Sequence, residues 1–285
     1  MNNVTRLSLI SATLLGGAAL QAEENPFGYL YTTSIIPRGE WELTQWTTGR
    51  VAKDHGSYLG MDFATELETG LTEHLQTALY LKANYHRLKG AQGSGEVFQD
   101  RNRFGVSGTS AELKYQLFSP AKDGFGMALY LEPGYTTIHK SGGERIDEIE
   151  LEAKLLLEKR WMEDRLIGVF NYTLEPEWER GAGQSSFDTN LYMEWGLGLS
   201  YRIAEGWRAG VETRVDTEFG GADLGGAEFV SVSAGPSLHF ERGEWWATLT
   251  VLPQIWGWPD EAGKGGYTLA ERERIEVRLK VGVEF

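Results

Sequence analysis

The chain has 285 residues, no cysteine and a formal net charge of −14 at pH 7. The lack of cysteine excludes disulfides and thiol chemistry, and the acidic balance argues against nucleic acid as a partner. The 36 glycines and 10 tryptophans are compatible with a β-barrel, in which only alternate residues face lipid.

Residues 1–22 predict a secretory signal peptide. Arg6 lies in a short polar start, an apolar stretch runs from Leu7 to Leu20, and the small residue Ala22 precedes two glutamates. Cleavage after Ala22 would remove Arg6 and leave a charge of −14 − 1 = −15. No other run approaches the ~18 apolar residues of a membrane helix, so any membrane insertion would have to use a barrel.

Residues 23–39 predict a separate N-terminal segment. The segment contains two prolines and shows no sustained alternation of apolar and polar residues. Its aromatic residues Phe27, Tyr29 and Tyr31 favour packing over disorder. We therefore expect it in the periplasm or folded into the lumen of a barrel.

From residue 40 the sequence predicts twelve amphipathic strands. The last shows the pattern well: Ile275, Val277 and Leu279 alternate with charged residues. The predicted strands cover 41–51, 58–71, 75–86, 107–118, 125–137, 146–159, 166–178, 188–203, 207–218, 228–240, 245–256 and a closing strand within 271–285. Short turns follow the even-numbered strands and longer polar loops follow the odd-numbered ones.

This sorting of loop lengths decides the fold class. A soluble sandwich would also alternate, but it has no reason to sort its loops by parity, whereas outer-membrane barrels have short periplasmic turns, long external loops and an even strand number. We predict an all-β fold: a twelve-stranded antiparallel up-and-down transmembrane β-barrel over residues 40–285. Both termini would then lie on the periplasmic side of a bacterial outer membrane.

Two resemblances support this location. The terminal strand, which ends at Phe285, resembles the last strand of Gram-negative outer-membrane barrels, and this implies recognition by the barrel-insertion machinery. The stretches 25–33, 39–46 and 68–72 (NPFGYLYTT, GEWELTQW and ETGLT) resemble an uncharacterised family of proteobacterial outer-membrane barrels. That family implies the fold and location, with outer-membrane lipid and lipopolysaccharide as surroundings, and no known substrate.

Charged residues on the inward parity predict two opposed walls in the lumen. The acidic wall, on strands five to seven, comprises Glu132, Glu148, Glu150, Glu152, Glu175 and Glu177. The basic set comprises Arg50, Lys82, Arg272, Arg274, Arg278 and Lys280. Strands six and twelve are opposite each other in a twelve-strand barrel, so the walls would set a field across the lumen. We predict a passive or gated channel for small polar or charged solutes, unless the charges pair and fill the lumen.

Two other functions stay open. His139-Lys140-Ser141, on the lipid-facing parity, resembles the His-x-Ser arrangement of outer-membrane phospholipases, but Gly142-Gly143 replaces the family's Asn-Gly and no orienting Asn is evident. A structural or adhesive protein would have a closed lumen and would bind through loops 88–103 and 257–270. The remaining histidines lack metal-ligand spacing, and we expect no metal, cofactor or enzymatic activity.

Overall fold

The computed structural model describes residues 25–93, 96–221, 226–260 and 265–285. The predicted signal peptide, with residues 23 and 24, lies outside the described residues. In the described part of the chain, no helix is long and apolar enough to cross a membrane.

Twelve antiparallel strands close into one barrel, which confirms the predicted fold class. In chain order they are β1 Trp41–Val51, β2 Ser57–Gly70, β3 Leu75–Lys89, β4 Arg101–Phe118, β5 Gly126–Ile138, β6 Arg145–Trp161, β7 Leu166–Gly181, β8 Asp188–Ala204, β9 Trp207–Gly220, β10 Ala227–Arg242, β11 Trp245–Trp258 and β12 Ile275–Glu284. Each strand pairs with its neighbours in sequence, and β1 closes the barrel on β12 from Glu42↔Glu284 to Val51↔Ile275. The closure leaves no unpaired edge strand.

The two faces of each strand differ in chemistry, as the period-two pattern requires. On β8, Leu199 points outward and is 49% exposed, whereas the neighbouring Ser200 points inward and is 1% exposed. Polar and charged side chains fill most of the inward face, and large apolar side chains cover the outward face. This is the pattern of a barrel whose outer face meets lipid and whose interior is polar.

The connections differ in length at the two ends of the barrel. Connections 205–206 and 243–244, at one end, are two-residue turns, and Gly206 and Gly243 have positive φ there. Connections 90–100 and 259–274 lie at the other end. The first is shorter than the predicted loop 88–103 because the β3–β4 ladder continues to Leu88↔Arg101. We call the two ends the short-turn end and the long-loop end.

Residues 25–37 lie inside the barrel, and we call them the plug segment. Phe27 is 0% exposed and packs with Leu30 against Ile167 and Val169 on the inward face of β7. Just before β1 begins, Arg38 forms a bridge with Gly70 of β2, and the backbone N–H of Gly39 donates to the carbonyl of Gly70 (2.9 Å). The plug segment therefore occupies the lumen without adding a strand to the barrel.

Candidate functional site in the barrel lumen

Glu212 of β9 is the main backbone anchor of the plug segment. Its carboxylate accepts hydrogen bonds from the backbone N–H groups of Gly28 (2.8 Å), Tyr29 (2.8 Å) and Leu30 (3.2 Å). Thr250 of β11 also donates to it through its hydroxyl (2.7 Å). A carboxylate accepts several hydrogen bonds at once, so this single buried side chain satisfies three amides that have no strand partner.

Further polar side chains hold the rest of the plug segment. Asn171 of β7 accepts from the backbone N–H of Tyr31 (2.7 Å) and donates to its carbonyl (3.0 Å). Glu158 of β6 accepts from both the backbone N–H (2.7 Å) and the hydroxyl (2.8 Å) of Thr33. These two anchors replace the ladder that an extended segment would otherwise need.

The plug segment also places two tyrosine rings among cations of the barrel wall. The ring of Tyr29 lies between the guanidinium groups of Arg278, 4.0 Å from the ring centre, and Arg214, 4.8 Å away. The ring of Tyr31 lies 4.9 Å from the ammonium of Lys154 and 5.3 Å from the ring of Tyr130. Cations over aromatic faces attract through the ring quadrupole, so these contacts add to the backbone anchors.

Two glycines on the inward face of β8 make room for the apolar side of the plug segment. A Cβ on Gly196 would lie 2.2 Å from a methyl carbon of Leu30, and a Cβ on Gly198 would lie 2.7 Å from the ring of Phe27. Neither distance is compatible with the present packing. The wall of the barrel is thus shaped to accept the plug segment.

The six predicted acidic residues all lie on inward faces, but several of them have cationic partners. Lys82 of β3 contacts Glu132 (3.2 Å) and Glu150 (2.9 Å), and Lys154 contacts Glu152 (2.8 Å). Lys82 therefore lies within the acidic cluster and not in a wall opposite to it.

The other three acidic residues, Glu148, Glu175 and Glu177, have different surroundings. Within the described ranges, none of them has a cationic group within 4.0 Å. They are the members of the predicted acidic wall that remain without an ion pair.

The predicted basic set divides into two groups. Arg278 and Lys280 lie on β12 and flank the ring of Trp46, 5.0 and 4.0 Å from its centre. Within the described residues, neither has a carboxylate within 4.0 Å. Arg278 and Lys280 are therefore the part of the predicted basic wall that the structure retains.

The remaining basic residues are paired or lie outside the strand to which they were assigned. Arg272 and Arg274 belong to connection 259–274, because β12 begins only at Ile275. Arg272 contacts Asp216 (3.0 Å), and Arg274 lies 3.9 Å from the ring centre of Tyr267. The division into one acidic and one basic wall is therefore only partial.

Arg50 organises the long-loop end. It is 1% exposed and contacts Asp62 and Glu273, each at 2.8 Å. Its guanidinium also donates to the carbonyl of Lys140 (2.5 Å), which lies 2.8 Å from the imidazole Nε2 of His86. Connection 139–144 therefore reaches across the barrel mouth to β1 and β3.

The same connection contains His139. The environment of this histidine does not fit the hydrolase that the His-x-Ser resemblance suggested. Nδ1 of His139 lies 3.1 Å from Glu144 and 3.1 Å from the backbone nitrogen of Gly142, while Nε2 lies 3.9 Å from Glu179. A His–Ser pair needs a hydrogen bond between imidazole and hydroxyl, and in the described structure the ring nitrogens face other groups than Ser141. The lipid-facing orientation expected for this stretch is also wrong, because the connection folds over the mouth.

Connection 259–274 covers another part of the same mouth. The ammonium of Lys53 donates to the carbonyls of Ala270 (3.1 Å) and Glu271 (3.0 Å), and Lys53 lies 3.7 Å from Glu273. Burial raises the pKa of the Glu273 carboxyl, but Lys53 and Arg50 lower it more strongly, so that this pKa lies well below its usual range. Both ends of the lumen are thus obstructed, one by the plug segment and one by the connections.

Sequence reasoning missed the residues that bind the plug segment. Glu212, Asn171, Glu158 and Arg214 all lie on inward faces, so strand parity could have identified them as candidates. Nothing in parity distinguishes a side chain that holds the plug segment from one that lines open space. Within the described residues, no group of three or more His, Cys, Asp or Glu side chains is arranged to hold a metal ion.

Two solved structures resemble the protein, and the first of them supports the barrel fold. The COG4313 outer membrane channel from Pseudomonas putida F1 aligns with a TM-score of 0.55 and 12% identity over 88% of this chain and 97% of that chain. The beta domain of the Bordetella autotransporter Brka aligns with a TM-score of 0.47 and 13% identity over 87% of this chain and 99% of that chain.

Comparison of sequences identifies the family. No curated protein matches the sequence. A family model described as "Family of unknown function (DUF6662)" matches residues 19–285. The prediction of an uncharacterised family is thus confirmed. The chain belongs to this family of unknown function, DUF6662.

Proposed function

We propose that the protein is an outer-membrane channel for small polar or charged solutes, closed by its own plug segment. The outward face is apolar, and exposed aromatic residues such as Trp161, Trp207 and Trp258 lie near both ends of the barrel, as in membrane interfaces. The fold resembles that of a solved outer-membrane channel. In this proposal the short-turn end and both termini face the periplasm, and lipid and lipopolysaccharide surround the barrel.

One observation carries the proposal: the plug segment contributes no strand to the barrel wall. Its anchors are side chains such as Glu212, Asn171 and Glu158, and the barrel closes without it through the β1–β12 ladder. That closure ends in paired hydrogen bonds between the backbones of Trp41 and Phe285 (2.9 and 3.0 Å). Withdrawal of the plug segment would therefore open the short-turn end and leave every strand paired.

Deletion of residues 25–37 tests the proposal directly. In a planar bilayer the intact protein should be largely silent, and the deletion variant should show discrete conductance steps of larger amplitude. Heat-dependent gel mobility would verify that the variant still forms a folded barrel. A folded deletion variant that conducts at no voltage would contradict the channel function.

The charges of the lumen predict that the channel prefers cations. Among the described residues, Glu148, Glu175 and Glu177 have no cation within 4.0 Å, so in an open lumen they would attract cations. Changing all three to Gln in the deletion variant should lower the preference for cations in reversal-potential measurements. The same change at Glu163, exposed in turn 162–165, serves as a control.

A structural barrel with a permanently closed lumen is the second candidate. The observation in its favour is that both ends are obstructed, by the plug segment and by connections 139–144 and 259–274. This candidate predicts that the deletion variant folds but remains silent, so the same experiment separates the two functions. In either case, we propose that Phe285 at the end of β12 is recognised by the barrel-insertion machinery, as the resemblance of the last strand implies.

A further inference from the structure

A cavity of about 60 Å³ lies at the short-turn end between the plug segment and the barrel wall. Tyr31, Thr32 and residues 34–36 form its inner side. The wall side carries Lys114 of β4, Lys280 of β12 and five glutamates, namely Glu42, Glu66, Glu68, Glu112 and Glu284. Whatever occupies the cavity therefore touches the plug segment and the barrel together.

The two lysines that line the cavity are buried and lack hydrogen-bond acceptors. Lys280 is 5% exposed and Lys114 is 6% exposed. In the part of the chain that the structure describes, neither ammonium has a hydrogen bond or a carboxylate within 4.0 Å. The ammonium of Lys280 lies over aromatic rings, 4.0 Å from the ring centre of Trp46, 5.6 Å from that of Trp246 and 5.8 Å from that of Tyr31. An ammonium in such a site needs an acceptor, so water or a ligand that enters the cavity must supply one.

The glutamates of the wall can accept further hydrogen bonds. Glu66 accepts from the indole N–H of Trp46 (2.6 Å). The hydroxyl of Tyr80 lies between Glu66 and Glu112, 2.6 Å from Glu112, and donates its single proton to one of the two carboxylates. These donors are neutral, and within the described ranges Glu42, Glu66, Glu68 and Glu112 have no cation within 4.0 Å. Carboxylates retain further acceptor positions beyond those in use. The cavity thus offers donors on one side and acceptors on another.

Charge and size limit what can bind there. A simple anion would meet more carboxylates than ammonium groups, and a simple cation would leave the two lysines without acceptors. A molecule that carries both charges satisfies both sides. The volume corresponds to about four to six water molecules, which allows only the smallest organic zwitterions. We propose that this cavity binds a small amino acid zwitterion, of the size of glycine or β-alanine, with its carboxylate at Lys114 and Lys280 and its ammonium at the glutamates.

Such binding would hold the plug segment in place. A ligand that contacts both the wall and residues 31–36 stabilises the plugged state by mass action, because the site exists only while the plug segment is docked. This consequence does not depend on ion conduction, so it stands or falls separately from the channel function.

Hydrogen exchange of the intact protein in detergent micelles tests the inference. Glycine should slow the amide exchange of residues 31–36, and acetate and methylammonium at equal concentrations should not. Lys280→Met should weaken the glycine effect roughly tenfold or more, as expected for the loss of a charged hydrogen bond. Lys122→Met, on an exposed lysine in connection 119–125, is the matched control and should leave the effect unchanged.

Three outcomes would overturn the inference. The first two are that glycine has no effect, or that its effect equals that of acetate or methylammonium; either would mean that water alone fills the cavity. The third is that Lys280→Met responds to glycine as the original protein does. If Lys280→Met does not form a barrel by heat-dependent gel mobility, Lys114→Met decides the question by the same criterion.

Discussion

The carboxylate of Glu212 accepts a 2.8 Å hydrogen bond from the backbone N–H of Tyr29, across 183 residues of sequence. The adjoining amides of Gly28 and Leu30 share the same acceptor. One side chain of β9 thus holds residues 28–30 of a segment that precedes the whole barrel.

Glu212→Gln should loosen the plug segment. The amide side chain has one acceptor oxygen in place of two and brings donors toward the N–H groups of residues 28–30. A hydrogen bond to a charged group contributes about 1.5–3 kcal/mol, so amide exchange there should accelerate roughly tenfold to a hundredfold. Glu205→Gln, in turn 205–206, should change nothing. Unaltered exchange in Glu212→Gln would show that this carboxylate does not hold the plug segment.

Gly198→Leu should expel the plug segment by steric overlap. Its side chain would occupy the volume of Phe27 and Leu30, which already lie within 3.0 Å of a Cβ built on this glycine. We expect bilayer conductance close to that of the 25–37 deletion. Gly49→Leu is the control, because the nearest atom to a Cβ there is 4.0 Å away, on Val277. Equal conductance in both glycine variants would count against the role of the plug segment as the obstruction.

Lys82→Met should destabilise the barrel. The change leaves Glu132 and Glu150 in the lumen without their shared cation. Removing one partner of a fully buried pair costs about 3–5 kcal/mol, and because Lys82 is partly exposed we expect roughly 1–3 kcal/mol in urea unfolding. The double variant Lys82→Met/Glu150→Gln should be less destabilised than the single changes predict when added. Strict additivity would mean that the two side chains do not interact.

The contact between His139 and Glu144 should make connection 139–144 sensitive to pH. Burial lowers the pKa of His139, but the hydrogen bond and charge of Glu144 raise it more, so that it lies above its usual value of 6.5. Burial raises the pKa of Glu144, and His139 lowers it more strongly, to below 4.5. Glu179 and Lys53 also act on His139, with opposite signs.

The sign of the stability effect follows from these two directions. The contribution of His139 is complete below pH 6.5 and is lost as the pH rises through its raised pKa, while that of Glu144 is complete above pH 4.5 and is lost as the pH falls through its lowered pKa. NMR titration should place the midpoint of His139 above 6.5, and Glu144→Gln should lower it. A midpoint that Glu144→Gln leaves in place would exclude the contact as its cause.

Strand parity made most of the barrel predictable. A residue's place in the alternation decides which face it occupies, so the inward position of Glu148 or Arg278 followed from the sequence. Parity does not give the height of a residue in the barrel, because strands tilt and their registers stagger by an amount that the sequence does not show. Lys82 of β3 therefore contacts Glu150 of β6, although the sequence placed them in different walls.

The plug segment could be predicted only as a possibility. Its aromatic residues indicated packing, but the route through the lumen depends on acceptors such as Glu212 and Asn171, which lie far away in sequence. It also depends on the open space at Gly196 and Gly198, which arises only when the strands stand side by side. The sequence predicted residues 257–270 only as a long loop. The contacts of connection 259–274 with Lys53 and Arg50 exist only in the closed barrel.

The position of the plug segment at the start of the chain imposes an order on assembly. Residues 28–33 are synthesised before all twelve strands, but their partners Glu212, Asn171 and Glu158 lie 125 to 184 residues later. The segment cannot dock until β6 to β9 stand side by side, so it reaches its final position after strands that are made later. Until then its apolar residues are exposed and need protection from aggregation.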